Sequence, residues 1–210
     1  MKYLLSGLYV ITDKKLIPRD RFIKTVEKTL IGGAKIVQLR EKDTPEEEII
    51  KLGKDLHEIT RKYGVPLIIN DSPVLAKEIG ADGVHLGEDD PPISEARKLL
   101  GSEAIIGVSC YGMIERGLQA EKEGADYVAF GTPFFTPTKP ERKPTPFEVL
   151  REAKRKITRI PIFAIGGINA ENARSVLETA VDGIAVITSV FSSSDSEKAS
   201  QDLARLFVSV

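Results

Sequence analysis

PLIINDSPVLAKEIGADGVHLGEDDP, residues 66–91, holds two short apolar runs that each end on acids. Leu67-Ile68-Ile69 stops at Asn70-Asp71, and Gly83-Val84-His85-Leu86 stops at Gly87-Glu88-Asp89-Asp90. Between them, Ser72 to Ile79 has the length of a short helix, which brings the second run back parallel to the first. Two carboxylate clusters then lie at the same end of one sheet. Acids gathered there repel unless a cation lies between them, and a hard, oxygen-seeking Mg²⁺ (magnesium) ion suits them. Helix capping is the competing reading, with Asp71 or Ser72 opening one helix and Asp89 or Asp90 the next.

The same strand–helix unit extends in both directions. Strands are expected over 8–12, 34–39, 67–69, 83–86, 104–108, 126–130, 162–165 and 184–187, all short and rich in Ile and Val. Such runs lack polar alternation, as strands buried on both faces do. Helices are expected over 19–31, 72–79, 91–100, 113–123, 147–156, 169–179 and 196–208, and from Pro45 to about Tyr63. Thr44 with Glu47 predicts a capping box at the start of that last one. Eight alternations in 210 residues favour a single-domain α/β (β/α)8 TIM barrel over residues 1–210. An open doubly wound sheet is the competitor. GGAKIVQLR, GADGVHLG, GADYVAFG and AVDGIAVI enter their strands in the same way, a recurring turn between helix and strand.

Composition removes several classes. Charged residues are 29% of the chain, yet the formal net charge is −1 and no long run of one sign occurs, so neither nucleic acid nor a membrane surface is indicated. A single cysteine, Cys110, excludes an intrachain disulfide and a cysteine-based zinc site. His57 flanks the apolar stripe of its helix and is expected to be solvated. MKYLLSGLYVI is interrupted by Ser6-Gly7 and followed by Asp13-Lys14-Lys15, so it reads as a first strand rather than a signal peptide. A cytoplasmic location is expected, and the sequence leaves room for a homo-oligomer.

Barrel enzymes build their sites from the loops after the strands. Here those ends supply Arg40, Lys42, Asn70, Asp71, His85, Asp90, Ser109, Thr136, Thr138, Lys139 and Gly166-Gly167. Gln38, Arg40 and Lys42 are spaced by two, so an extended strand turns all three towards the barrel mouth. A guanidinium fork beside a point ammonium forms a clamp for a multiply charged phosphate group. The bland alternative pairs Arg40 with Glu41 or Asp43. His85 reads equally as a bonded core histidine or a ligand contact. TPFFTPTKPERKPTP, residues 132–146, is a five-proline connection whose length fits an active-site lid or a stiff surface loop. Gly166-Gly167 and Thr188-Ser189 follow strands seven and eight, a common place to bind substrate phosphate.

YVITD, GGAKIVQLREKD, the stretch from Pro66 through Asp90, IIGVSCY, GADYVAFGTPFFTPTK, PIFAIGGI and DGIAVITSV together resemble the thiamine-phosphate synthase family, in order and over nearly the whole chain. The resemblance implies a transferase of thiamine biosynthesis. It joins 4-amino-2-methyl-5-(diphosphooxymethyl)pyrimidine to 4-methyl-5-(2-phosphooxyethyl)thiazole, releasing pyrophosphate. It further implies that Gln38, Leu39, Arg40, Glu41, Lys42, Asn70, Ser109 and Lys139 hold the pyrimidine pyrophosphate. Asp71 and Asp90 would bind Mg²⁺; Thr136, Pro137, Thr138, Gly167, Ile187 and Thr188 would hold the thiazole phosphate. Arg40, Lys42, Ser109 and Lys139 would carry the catalysis. Cys110-Tyr111-Gly112 departs from the family's usual small residue, His and Thr, and Thr188 replaces a frequent Ser. The alternatives are a thiazole tautomerase-like paralogue, which would place a His on the strand-six loop where Thr132 stands, and a non-catalytic sensor of thiamine precursors.

Overall fold

Eight parallel strands pair in chain order and close on one another, β8 returning to β1. They are β1 (Gly7–Ile11), β2 (Ile36–Leu39), β3 (Leu67–Asn70), β4 (Gly83–Leu86), β5 (Ile105–Tyr111), β6 (Tyr127–Gly131), β7 (Ile162–Ile165) and β8 (Gly183–Val186). The computed structural model describes residues 3–135 and 143–207. Around the barrel run α1 (Phe22–Ile31), α2 (Glu46–Lys62), α3 (Pro73–Ile79), α4 (Ile93–Leu100), α5 (Ile114–Glu123), α6 (Phe147–Lys156), α7 (Ala173–Leu177), α8 (Thr188–Phe191) and α9 (Ser196–Ala204). No helix among the described residues is long and apolar enough to cross a membrane.

The period of two along each strand divides the apolar residues into two cores. Val37, Leu39, Ile69, Val84, Leu86, Val108, Val128 and Phe130 face outward and join the helices. Tyr9, Ile11, Ile36, Ile68, Tyr127 and Phe163 face inward and fill the barrel. The Tyr9, Tyr127 and Phe163 rings meet edge to face with centroids 5.4–5.9 Å apart. This aromatic plug fits because Gly107 stands opposite: a Cβ there would lie 2.0 Å from Tyr127 Cζ. Cys110 packs in the outer core, where burial pushes its thiol up to about 12 and leaves it inert at neutral pH.

The recurring turn seen in the sequence has a physical cause. Asp82, Asp126 and Asp182 each precede an even strand, and each grips one residue of the preceding odd strand twice. Asp82 N donates to Leu67 O while Asp82 Oδ2 accepts from Leu67 N, at 3.0 and 2.8 Å. Asp126 does the same to Ile106, at 2.8 and 2.9 Å, and Asp182 to Ile162, at 2.9 and 2.8 Å. A nitrogen-bearing side chain from the helix before the gripped strand faces each carboxylate: the His57 imidazole of α2 at 3.3 Å, the Arg97 guanidinium of α4 at 2.6 Å and the Lys154 ammonium of α6 at 2.6 Å. At the fourth such turn Lys35 makes only the backbone half, to Leu8 O at 2.8 Å.

Several local expectations change. His57 is not solvated; its side chain is 16% exposed because Asp82 draws it against the barrel end. Thr44 does not cap α2: Pro45 takes that position, and the Thr44 hydroxyl donates to Glu41 at 3.0 Å instead. The helix expected over 169–179 shrinks to α7, because Asn169 Oδ1 closes a turn onto Glu171 N and Asn172 N. An unforeseen turn of helix, α8, follows β8 directly. β5 runs on to Tyr111 through an irregularity between Ser109 and Tyr111.

Asp126→Ala would strand the Ile106 N–H and leave the Arg97 guanidinium with backbone carbonyls but no carboxylate, and should cost about 2 kcal/mol of stability in urea unfolding; a loss below about 0.5 kcal/mol would refute the double grip. Burial alone would raise the Asp82 carboxyl, but His57 beside it and the Leu67 N–H hold it below its ordinary 3.8. Its contribution is therefore complete above that value and is lost as pH falls through the lower folded one. Asp82→Asn should flatten the acid limb of a stability–pH curve; an unchanged limb would refute this.

Candidate active site

Inward positions at the carboxyl ends of β2 to β5 place Gln38, Asn70, His85 and Ser109 on the floor of a cavity of about 510 Å³. These polar groups sit on the aromatic plug and are bonded to it. Gln38 Nε2 donates to the Tyr9 hydroxyl at 2.5 Å, which lies 2.8 Å from the Tyr127 hydroxyl. Tyr127 is 2.9 Å from His85 Nδ1, and His85 Nε2 is 2.8 Å from Ser109 Oγ. Burial pushes both phenols up, so both keep their protons.

Charge collects on the rim above. Arg40 lines the cavity and pairs with Asp13 at 3.4 Å, rather than with Glu41 or Asp43. Its backbone N–H is fixed by Thr12 Oγ1 at 3.0 Å. Lys42, half exposed, reaches Asp71 at 3.4 Å. The side chains of Leu39 and Glu41 turn away from the cavity. Leu39 is buried in the outer core, and Glu41 is enclosed beneath Arg19 and Thr44, at 2.9 and 3.0 Å. Any contact of these two residues with a ligand in the cavity falls to their backbones.

The capping readings of the two acids do not hold. Ser72 Oγ caps α3 by accepting from Leu75 N, while Asp71 sits just outside the helix with φ +65°. α4 begins behind Pro92 without a side-chain cap. Asp90 turns back instead, its Oδ2 accepting from Gly87 N at 2.5 Å. The Asp90 carboxyl is raised above its usual range, first by burial and then by the neighbouring Asp71 carboxylate, against the pull of the Gly87 N–H and Lys42. A carboxyl pushed up by burial and by a second carboxylate beside it marks a ready seat for a cation. Among the described residues no cluster of three or more His, Cys, Asp or Glu could hold a metal. A two-carboxylate seat beside an open cavity fits Mg²⁺, which keeps most of its shell for water and phosphate oxygens.

Arg116 of α5 ties this rim together. Its Nη2 donates to Gly87 O and its Nε to Ser109 O, both at 2.7 Å, and its guanidinium lies 6.0 Å from the centre of the Tyr111 ring. Tyr111 has φ +57°, an uncommon conformation for a bulky residue, and it lines the cavity. The strained position lies where the sequence departs from the usual family pattern.

A second hollow of about 250 Å³ lies beyond β7 and β8, lined by Gly166, Gly167, Ile187, Thr188 and Ser189. Gly167 has φ +61°, and a Cβ there would meet Phe135 O at 2.2 Å, so no other residue fits. Ser189 Oγ is buried with no hydrogen-bond partner among the described residues, a spare donor on that wall. Both ends of the proline-rich connection are anchored here: Thr145 N donates to Thr132 O at 3.0 Å, and the Thr132 hydroxyl to Gly166 O. Lys143 from its far end lines the larger cavity. Thr136, Pro137, Thr138 and Lys139 lie outside the described residues.

The structure thus brings Gln38, Arg40, Asn70 and Ser109 into one cavity, places Lys42, Asp71 and Asp90 on its rim, and sets Gly167, Ile187 and Thr188 around a second hollow. Tyr9, Tyr127 and Arg116 were not anticipated. The first two read as ordinary strand apolars, and Arg116 as one of many charges on a helix. Only the position of Tyr111 was flagged by sequence.

Comparison with known proteins identifies the family. The profile of the family described as thiamine monophosphate synthase matches residues 8–190. The thiamine-phosphate synthase of Methylococcus capsulatus is 46% identical over 202 residues, covering 96% of this chain and 89% of that protein. That of Clostridium novyi is 46% identical over 200 residues, covering 95% and 97%. Among solved structures, thiamine phosphate pyrophosphorylase from Pyrococcus furiosus superposes with a TM-score of 0.88 at 40% identity, covering 97% of this chain and 96% of that one. The chain belongs to the thiamine monophosphate synthase family.

Proposed function

We propose that the chain couples 4-amino-2-methyl-5-(diphosphooxymethyl)pyrimidine to 4-methyl-5-(2-phosphooxyethyl)thiazole, giving thiamine phosphate and pyrophosphate. The observation that carries this reading is the convergence of Arg40, Lys42, Asp71 and Asp90 on one rim above a polar floor. The bond between the pyrimidine methylene carbon and the diphosphate oxygen breaks, the diphosphate leaves with the electron pair, and the thiazole nitrogen forms a bond to the electron-poor methylene. The main demand on the protein is to stabilise the departing negative charge. Arg40 and Lys42 stand at that rim, with Lys143 nearby. Each unit charge pair near 4 Å contributes roughly 4 kcal/mol at an effective dielectric of about 20, so several together are decisive. The family resemblance would add Lys139, which lies outside the described residues.

Asp71 and Asp90 would hold Mg²⁺, which supplies positive charge to the phosphate oxygens as they take up the bonding electrons. Gln38 and Asn70 offer amides to the edge of the pyrimidine, and Ser109 a hydroxyl to the leaving group. Gly167, Thr188 and the spare Ser189 hydroxyl suit the thiazole phosphate. Thr136 to Thr138 would complete that grip from residues 132–146, acting as a lid over both hollows. Both precursors are small and water-soluble, which agrees with a cytoplasmic enzyme. Thr132, at the position where a tautomerase would need a His, spends its hydroxyl on Gly166 O.

Purified protein supplied with both precursors should form thiamine phosphate, and excess chelator should abolish the reaction until Mg²⁺ is restored. Full turnover in chelator would remove the metal from the scheme, and no turnover at any temperature below unfolding would refute the coupling. Asp71→Ala should fold normally and slow turnover by on the order of 10²–10³, the loss expected for a charge stabiliser. A full-rate Asp71→Ala enzyme would show that the aspartate has no part in catalysis.

A further inference from the structure

Tyr9 and Tyr127 carry hydroxyls that packing does not require. Both rings are buried to within 1% of exposure, and Phe163 fills the neighbouring place in the same plug without a hydroxyl. A phenol in such a place costs stability unless it is bonded. Both are bonded, and the bonds run in a line from Gln38 through Tyr9, Tyr127 and His85 to Ser109, on the cavity floor.

Proton counting gives that line a direction. A tyrosine hydroxyl has one proton to give. Gln38 Nε2 donates to the Tyr9 oxygen, whose second lone pair could accept as well, but among the described partners the buried Tyr9 proton is bonded only when Tyr9 donates to Tyr127. The Tyr127 proton then goes to His85 Nδ1. A neutral imidazole that accepts at Nδ1 carries its proton on Nε2, so His85 donates to Ser109 Oγ. With its oxygen accepting from His85, the Ser109 proton is free to point into the cavity. A diphosphate leaving group has only acceptors, so a serine held as a donor is the useful form.

We propose that Tyr127, backed by Tyr9, is a positioning residue for the coupling reaction: it fixes His85 as the Nε2–H tautomer and thereby holds Ser109 as a hydrogen-bond donor to the departing diphosphate. The tautomer assignment rests on the hydrogen-bond line alone; the effect on rate rests also on the coupling reaction proposed above.

The test uses the full-length protein with 15N-labelled histidine, at about pH 8, where imidazoles are neutral. His57→Gln assigns the signals, since the chain has two histidines. His85 should show a protonated Nε2 and a bare Nδ1; the opposite tautomer overturns the proposal. Tyr127→Phe keeps the ring, and should give a mixed His85 tautomer and a kcat lowered about tenfold, the size of one well-placed hydrogen bond. KM for the pyrimidine diphosphate should change by less than about twofold, because the bond gains strength only as charge develops. Tyr9→Phe, one link further away, should have the smaller effect on both readouts. A Tyr127→Phe enzyme with native tautomer and native kcat overturns the proposal, as does an equal loss in the two variants, which would indicate simple packing. A wild-type chain with the stated tautomer but no coupling activity would support the relay and overturn the coupling reading.

Discussion

The barrel depends on a two-handed bond at its amino-terminal end. Parallel strands lack the tight hairpins that set register in antiparallel sheets. Here the register is set where each helix hands over to the next even strand. An aspartate gives its N–H to the carbonyl of one residue and takes that residue's N–H on its carboxylate. Shifting the register by one residue would break both bonds at once, and would also turn every inward side chain outward. Three such grips, each backed by a basic side chain from a helix, recur around the ring. The strand ends at the opposite face are thereby left to carry groups chosen for chemistry.

Those groups would be hard to assemble in a less constrained fold. Arg40, Lys42, Asp71 and Asp90 come from three different strand ends, and their charges partly neutralise one another across the rim. The polar floor beneath them stands on buried phenols rather than on aliphatic side chains, so its amide, imidazole and hydroxyl are held by bonds from below as well as by packing. Arg116 adds a third restraint by binding the carbonyls that follow β4 and lie within β5.

The fold was legible because short apolar runs alternate with helix-length segments eight times, and errors at single ends do not alter the count. Thr44 shows where such reading fails. Its capping-box spacing was correct, but Pro45 accommodates the helix start and Glu41 claims the hydroxyl. The acids of the opening stretch were legible as a pair and not as a function, since capping and cation binding call for the same residue types. Only the left-handed turn at Asp71 and the return of Asp90 to Gly87 separate the two. Leu39 and Glu41 lie within the sequence run that resembles the family's pyrophosphate-binding block, yet alternation along β2 sends their side chains elsewhere. Tyr9 and Tyr127 were invisible as polar residues, because in a strand a tyrosine is first a large apolar side chain. Their hydroxyl partners lie 29, 118 and 42 positions away.

The void at Gly107, which admits the Tyr127 ring, also constrains how the protein can drift. Filling it with any side chain demands a smaller residue at 127, and a smaller residue there carries no hydroxyl to His85. Enlarging position 107 is therefore a change to the cavity floor as well as to the packing, although Gly107 lines neither hollow. Descendants of this chain can alter the plug only by altering the plug and the floor together, so the two should have been inherited as one unit.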